Sequence, residues 1–172
     1  MSINVSDIII ENVSLLVGEK INYIDRAANM FDIGFGDDVE YKNPNKDSTT
    51  VVAKFVLHIC ASWRLISNNK VVLAQKDFYE PKDGISYDKF VKEAFGNSQF
   101  DYRAEELNNK LNDVPITVTT ITANDLGDLT LHMSNDYRLE IFVDISGKEE
   151  SWRFFRMDND SKHFVVFNDA FL

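Results

Sequence analysis

From Phe55 to Leu65 the chain alternates without a break. Phe55, Leu57, Ile59, Ala61, Trp63 and Leu65 are apolar, and Val56, His58, Cys60, Ser62 and Arg64 stand between them. Successive strand residues face opposite ways, so this pattern reads as a strand with its odd positions on a core. Ser67-Asn68-Asn69-Lys70 then supplies a turn, because Asn tolerates positive φ. Val71 to Tyr79 resumes the alternation, so the stretch predicts one long hairpin. A two-residue turn at Asn68-Asn69 sets Leu65 opposite Val72, Trp63 opposite Ala74 and Ile59 opposite Phe78. These are apolar pairs on the core face, and the register is self-consistent.

On the other face that register brings Cys60 opposite Asp77 and His58 opposite Tyr79. With Arg64 nearby, these five side chains are the ligand-binding candidates. A cysteine, a histidine and an aspartate can serve as nucleophile, base and orienting group. The structural reading is stronger. A His–Asp pair across a hairpin is usually a hydrogen bond of the fold, and a lone Cys is usually a small buried hydrophobe. Nothing in the sequence places Cys60 at a helix N-terminus or in an electropositive cleft. A bulge near Ala61-Ser62 breaks up the patch.

The rest of the chain supplies helices first and strands last. Residues 6–17 have a helical apolar face, with Ser6 or Asp7 as cap and Gly18 as stop. Residues 20–35 read as strand material broken near Arg26-Ala27, closed by a turn at Gly34–Asp38. Residues 39–50 are polar, and Asn43-Pro44-Asn45 marks a loop. Ser86 to Phe95 carries a helical stripe of Tyr87, Phe90, Val91, Ala94 and Phe95, capped by Ser86 and ended by Gly96. A further helix runs from Asp101 to about Leu111. From Pro115 five short strands follow, separated by turn signals at 124–127, 135–136, 146–148 and 158–161. The expected class is α+β: a mainly antiparallel sheet of about six to eight strands with two to three helices packed on one side.

Two repeated patterns accompany this. Leu57-His58 with Trp63-Arg64-Leu65 recurs as Leu131-His132 with Tyr137-Arg138-Leu139. Two related sheet halves account for the echo, and so does chance reuse of strand residues. Trp63-Arg64, Tyr137-Arg138 and Trp152-Arg153 each set an aromatic residue beside an arginine. On neighbouring strands the three arginines line a surface for a carboxylate or phosphate. The preferred alternative is that each pairs with a local acid such as Glu140 or Glu150.

Composition narrows the function. The chain has 172 residues, the size of one domain, and a formal charge of −10. Nucleic-acid and anionic-membrane binders concentrate Lys and Arg, so neither is an expected partner. A basic protein is. One Cys excludes an internal disulfide and fits a reducing compartment. No secretory signal or membrane-length apolar run is visible, so the expected location is the cytoplasm. The sequence has no Walker loop, nucleophile elbow, HExxH or zinc-ligand cluster. No cofactor and no metal are therefore expected.

Leu57-His58-Ile59-Cys60 followed by Trp63-Arg64, then Asp77-x-Tyr79-x-Pro81, resembles a family of small bacterial proteins. Gly127, Leu129 and Leu131, then Glu150, Trp152, Arg153 and Phe154, continue the resemblance. It spans about residues 55–155 and implies no particular activity. Two functional readings follow. The first is a non-enzymatic acidic interaction protein that binds a basic partner, as immunity proteins do. Its contact candidates are Asp37, Asp38 and Glu40, Glu105 and Glu106, and Glu149 and Glu150. The second is a small-molecule binder or enzyme that uses the His58, Cys60, Asp77 and Tyr79 face.

Overall fold

The structure is a computed structural model that describes residues 4–159 and 162–168. It is α+β and mostly antiparallel, as expected, with more strands and fewer helices than the sequence indicated. Helix α1 (Val5–Val13) leads into β1 (Ile21–Ala27), β2 (Met30–Lys42), β3 (Thr49–Ile59), β4 (Ser62–Ser67) and β5 (Lys70–Ala74). Helix α2 (Gln99–Leu111) precedes β6 (Val118–Ala123), β7 (Leu129–Met133), β8 (Tyr137–Phe142), β9 (Glu150–Arg156) and β10 (Phe164–Phe167). The strands form two five-stranded sheets, ordered β1-β2-β3-β9-β10 and β5-β4-β8-β7-β6. No helix among the described residues is long and apolar enough to cross a membrane.

The predicted hairpin is divided between these sheets. Its turn is as expected: Asn68 and Asn69 take φ of 49° and 60°, and Ser67 and Ile66 pair with Lys70 and Val71. A bulge between Leu65 and Ile66 then shifts the register, so that Leu65 meets Leu73 and Arg64 meets Ala74. At Cys60-Ala61 the chain leaves the first sheet for the second. Both amides donate to the Ser151 carbonyl, each at 2.9 Å. The partner expected for β3 is also absent, because Gln75–Tyr79 is a 3-10 helix. There the Asp77 carboxylate accepts the Ala74 N–H at 2.8 Å and closes a turn.

The odd residues from Phe55 to Leu65 are nonetheless all buried, because both sheets face one core. Phe31 of β2 stacks on Trp63 of β4 across the two sheets, ring centroids 3.8 Å apart. Phe78 and Phe100 meet these rings edge-on or tilted and bring in the 3-10 turn and α2. On the same principle, Trp152 of β9 donates its indole N–H to the Gly127 carbonyl at 2.9 Å. Gly127 has φ +93°, and a Cβ there meets Val143 and Val166 at 3.1 Å. The Leu131–Leu139 echo is a hairpin within one sheet, whereas Leu57–Leu65 passes between two sheets. The two segments are therefore not equivalent in the fold.

Three other expectations are corrected. Gly34–Asp38 is not a turn. It lies inside β2, where Gly36 at φ +81° forms a bulge and the strand continues to Lys42. Much of 39–50 is accordingly strand, with only 43–48 as a loop. The helix expected over Ser86–Phe95 does not form. A 3-10 turn at Tyr87–Lys89 is followed by irregular chain, and Tyr87, Val91 and Phe95 are exposed.

Part of this segment is held by Arg26. Its buried guanidinium spends every donor on neighbouring acceptors. Nε and Nη2 reach the two Asp101 oxygens at 2.6 and 2.9 Å. Nη1 reaches the carbonyls of Ala28 and Lys92, both at 2.9 Å, and Nη2 also reaches that of Ala94 at 3.3 Å. Carbonyls 92 and 94 therefore turn toward Arg26. Asp101 also closes the N-terminus of α2 as the acid at the third helical position of a capping box with Ser98. Burial pushes the Asp101 carboxyl up, but the Arg26 and Ser98 hydrogen bonds outweigh it and hold the carboxyl below its ordinary value. A depressed carboxylate stabilises the fold above its unfolded pKa of about 3.9 and loses that contribution as pH falls through the folded value. We expect Arg26→Met to cost about 3–5 kcal/mol, since it leaves Asp101 buried without its cation. Urea unfolding at neutral pH measures the loss; a variant as stable as wild type contradicts this account.

Candidate functional site

The five ligand-binding candidates do not form one patch. His58 lies on the outer face of the first sheet, between Asp32 of β2 and Arg153 of β9. Arg64 lies on the second sheet and pairs with Glu140 at 2.5 Å, and Arg138 reaches the other oxygen of the same carboxylate at 2.7 Å. Asp77 is spent on the Ala74 amide. Tyr79 is exposed under the Lys92 ammonium, 5.5 Å from its ring centroid. Cys60 is exposed at the end of β3. Burial pushes its thiol up, the Glu150 charge adds to this, and Arg153 opposes both. Cys60 is thus held as the weakly nucleophilic thiol at neutral pH. Of the five, only Tyr79 lines a described cavity, a space of about 180 Å³ beside Arg26.

Around His58 the sheet gathers residues that the hairpin reading did not include. The Tyr23 hydroxyl donates to Asp32 Oδ1 at 2.7 Å, and His58 Nε2 lies 3.5 Å from the same oxygen. Burial, then the Asp32 charge and hydrogen bond, push the Tyr23 hydroxyl far up, so it remains a donor. Across the strand, Glu150 and Arg153 form a two-bonded ion pair. Arg153 is 3.5 Å from His163 Nδ1, and His163 stacks on Phe155 at 4.2 Å. His58 meets the edge of the same Phe155 ring. The arginines therefore pair with local acids, two on Glu140 and one on Glu150, and do not form a shared anion surface. The signal for this cluster is cross-strand register among β1, β2, β3, β9 and β10, which a local pattern does not contain.

Gly34 makes room for the Tyr23 ring. A Cβ at Gly34 lies 2.2 Å from Tyr23 Cε1 and 2.7 Å from the Ala53 Cβ. We expect Gly34→Ala to cost about 1–3 kcal/mol through this overlap, read as a lower urea midpoint; an unchanged midpoint contradicts it. His163 provides a second check. Burial pushes its ring down, with Arg153 and His58 acting the same way and Glu150 opposing. A histidine lowered in the fold leaves stability intact above its unfolded pKa of about 6.5 and erodes it as pH falls from there. We expect His163→Gln to lose less stability than wild type between pH 7 and pH 5; parallel curves contradict this.

The acidic candidates divide into used and free groups. Glu150 is committed to Arg153, and Glu149 beside it is exposed. Glu105 and Glu106 are exposed on α2, where Glu106 accepts the Tyr102 hydroxyl at 3.0 Å. Asp37, Asp38 and Glu40 are exposed on β2, with Asp37 3.3 Å from Lys20 and Asp38 accepting from Asn22 at 2.9 Å.

That last group sits on the most unusual feature of the surface. The backbone bonds from the β1 side to β2 end at Gly36, whose N–H donates to the Lys20 carbonyl at 2.8 Å, and those from the β9 side to β3 end at Lys54, whose carbonyl accepts the Met157 N–H at 2.9 Å. Beyond them β2 and β3 continue alone through five rungs, from Asp38↔Ala53 to Lys42↔Thr49. No third strand pairs with these rungs among the described residues. The ribbon is an arm, tipped by residues 43–48, and it carries Val51 at 65% exposure. Three sheet edges elsewhere are closed. Asn108 of α2 accepts the Ile24 N–H at 2.9 Å and donates to the Ile24 carbonyl at 2.7 Å, in the manner of a neighbouring strand on β1. Arg103 reaches the Val72 carbonyl of β5 at 3.5 Å, and residues 18–21 bond to 116–118 beside β6. Closing edges in this way prevents stray pairing.

No known family model, curated protein or solved structure matches this chain. The resemblance noted in the sequence acquires no support from these comparisons.

Proposed function

We propose that this is a non-enzymatic interaction protein whose β2–β3 arm binds a basic partner protein. The arm is the observation that carries the reading. A two-stranded ribbon is marginal by itself in water, and among the described residues neither outer edge of this one pairs with another strand, while the edges at β1, β5 and β6 each carry a contact that blunts them. No residue from 37 to 52 belongs to the buried core, so the fold does not need the arm for its packing. Asp37, Asp38 and Glu40 give it negative charge, on a chain of formal charge −10. Such charge steers a basic partner and weakens with salt, because screening sets in at about 10 Å in 0.1 M salt. The alternative of ligand chemistry at the His58 face has less support, since its five residues are dispersed.

A variant with the arm shortened, 39–52 replaced by a two-residue Asn-Gly turn, tests the reading. It is expected to unfold as cooperatively as wild type, with a circular dichroism spectrum reduced only by the strand residues removed. In capture from host lysate at low salt, wild type retains one basic protein that high salt releases, and the shortened variant retains none of it. Equal retention by both forms, or retention that salt leaves unchanged, contradicts the proposal.

A further inference from the structure

Among the described residues both edges of the arm are unpaired, and they differ in chemistry. The Asn43 N–H donates to the Ser48 carbonyl at 3.2 Å, so that rung is a hydrogen-bonded one. Antiparallel rungs alternate. Tyr41 and Val39 therefore bond inward to β3, while the N–H and C=O groups of Lys42, Glu40 and Asp38 point outward along β2. On the β3 side the outward groups belong to Thr49, Val51 and Ala53, none of them charged. At its base the β2 edge meets the start of β1, where Asn22 donates to the Gly36 carbonyl and to the Asp38 carboxylate, each at 2.9 Å. A cavity of about 350 Å³ lined by Lys20, Ile21, Asn22, Asp38 and Pro115 lies at this junction, where a strand on the arm's edge ends against β1.

We infer that the β2 edge of the arm takes an extended, basic segment of the partner as an added antiparallel strand. This rests on the interaction reading above and specifies the mode of binding. Main-chain bonds to Asp38, Glu40 and Lys42 supply affinity, and side chains on alternate positions supply selection. A residue opposite another across an antiparallel pair shares its face. Lys or Arg is therefore favoured opposite Glu40 and Asp38, and apolar residues opposite Val39 and Tyr41. The occupant is a segment alternating basic and apolar residues. A second copy of this chain is disfavoured as occupant by the charge of −10 on each molecule.

The test uses the full chain and a short capped peptide alternating Lys and Val, with amide hydrogen exchange followed by NMR. The expected result is slowed exchange at Asp38, Glu40 and Lys42 and no change at Thr49 and Val51. N-methylation of alternate peptide amides abolishes binding. Glu40→Lys, with an unchanged fold by circular dichroism, weakens binding about tenfold; Asp38→Asn weakens it less. If the N-methylated peptide binds equally and no β2 amide is protected, strand addition is overturned, while salt-sensitive binding in that case leaves the charge-based reading standing. If no peptide binds and neither variant matters, both fail. Protection of the same amides by raised protein concentration alone makes the occupant a second copy and overturns the inference.

Discussion

The fold depends on one bend. At Cys60-Ala61 two successive amides share the Ser151 carbonyl, and a single alternating run passes from the first sheet into the second. The bend preserves parity, so the side chains from Phe55 to Leu65 that face inward before it still face inward after it. Trp63 then lies on Phe31 across the two sheets, and Phe78 and Phe100 close around the pair. Ala61 at the bend is buried and small. The same passage carries His58 and Arg64 to opposite sheets, which separates residues that are close in sequence.

Arg26 organises a second region in a different way. A guanidinium taken out of water is stable only when its donors are met. Here the Asp101 carboxylate and the carbonyls of Ala28, Lys92 and Ala94 meet them. That demand fixes the irregular segment after the Tyr87–Lys89 turn, where the carbonyls of Lys92 and Ala94 point to the guanidinium. It also places the N-terminus of α2, whose Asn108 in turn closes the β1 edge. One buried charge thus links an irregular segment, a capped helix and a protected sheet margin.

Function follows from what remains uncovered. On both outer faces the arginines are engaged by acids, Arg64 and Arg138 sharing Glu140 and Arg153 held by Glu150, and Cys60 is kept as a thiol. The arm differs from the rest of the two sheets in pairing on neither side through five rungs among the described residues. An arm of this kind adds nothing to core burial and leaves polar backbone to solvent, so a partner strand is the reading that best accounts for it.

Much of the fold was legible locally. Period-two alternation placed most of the strands, Asn68-Asn69 fixed a turn, and Asp101 marked a helix start to within two residues, because each signal depends on neighbours in sequence. The acidic group at Asp37, Asp38 and Glu40 was legible too, but not that it rides on an arm. Tertiary structure decided the rest. The sequence shows that β3 has a polar face; only pairing with β2 and β9 sets Asp32 and Arg153 beside His58 in place of Tyr79. Alternation is a property of one strand, whereas strand order, the bend at Ser151 and the claim of Arg26 on distant carbonyls depend on groups far apart in the chain.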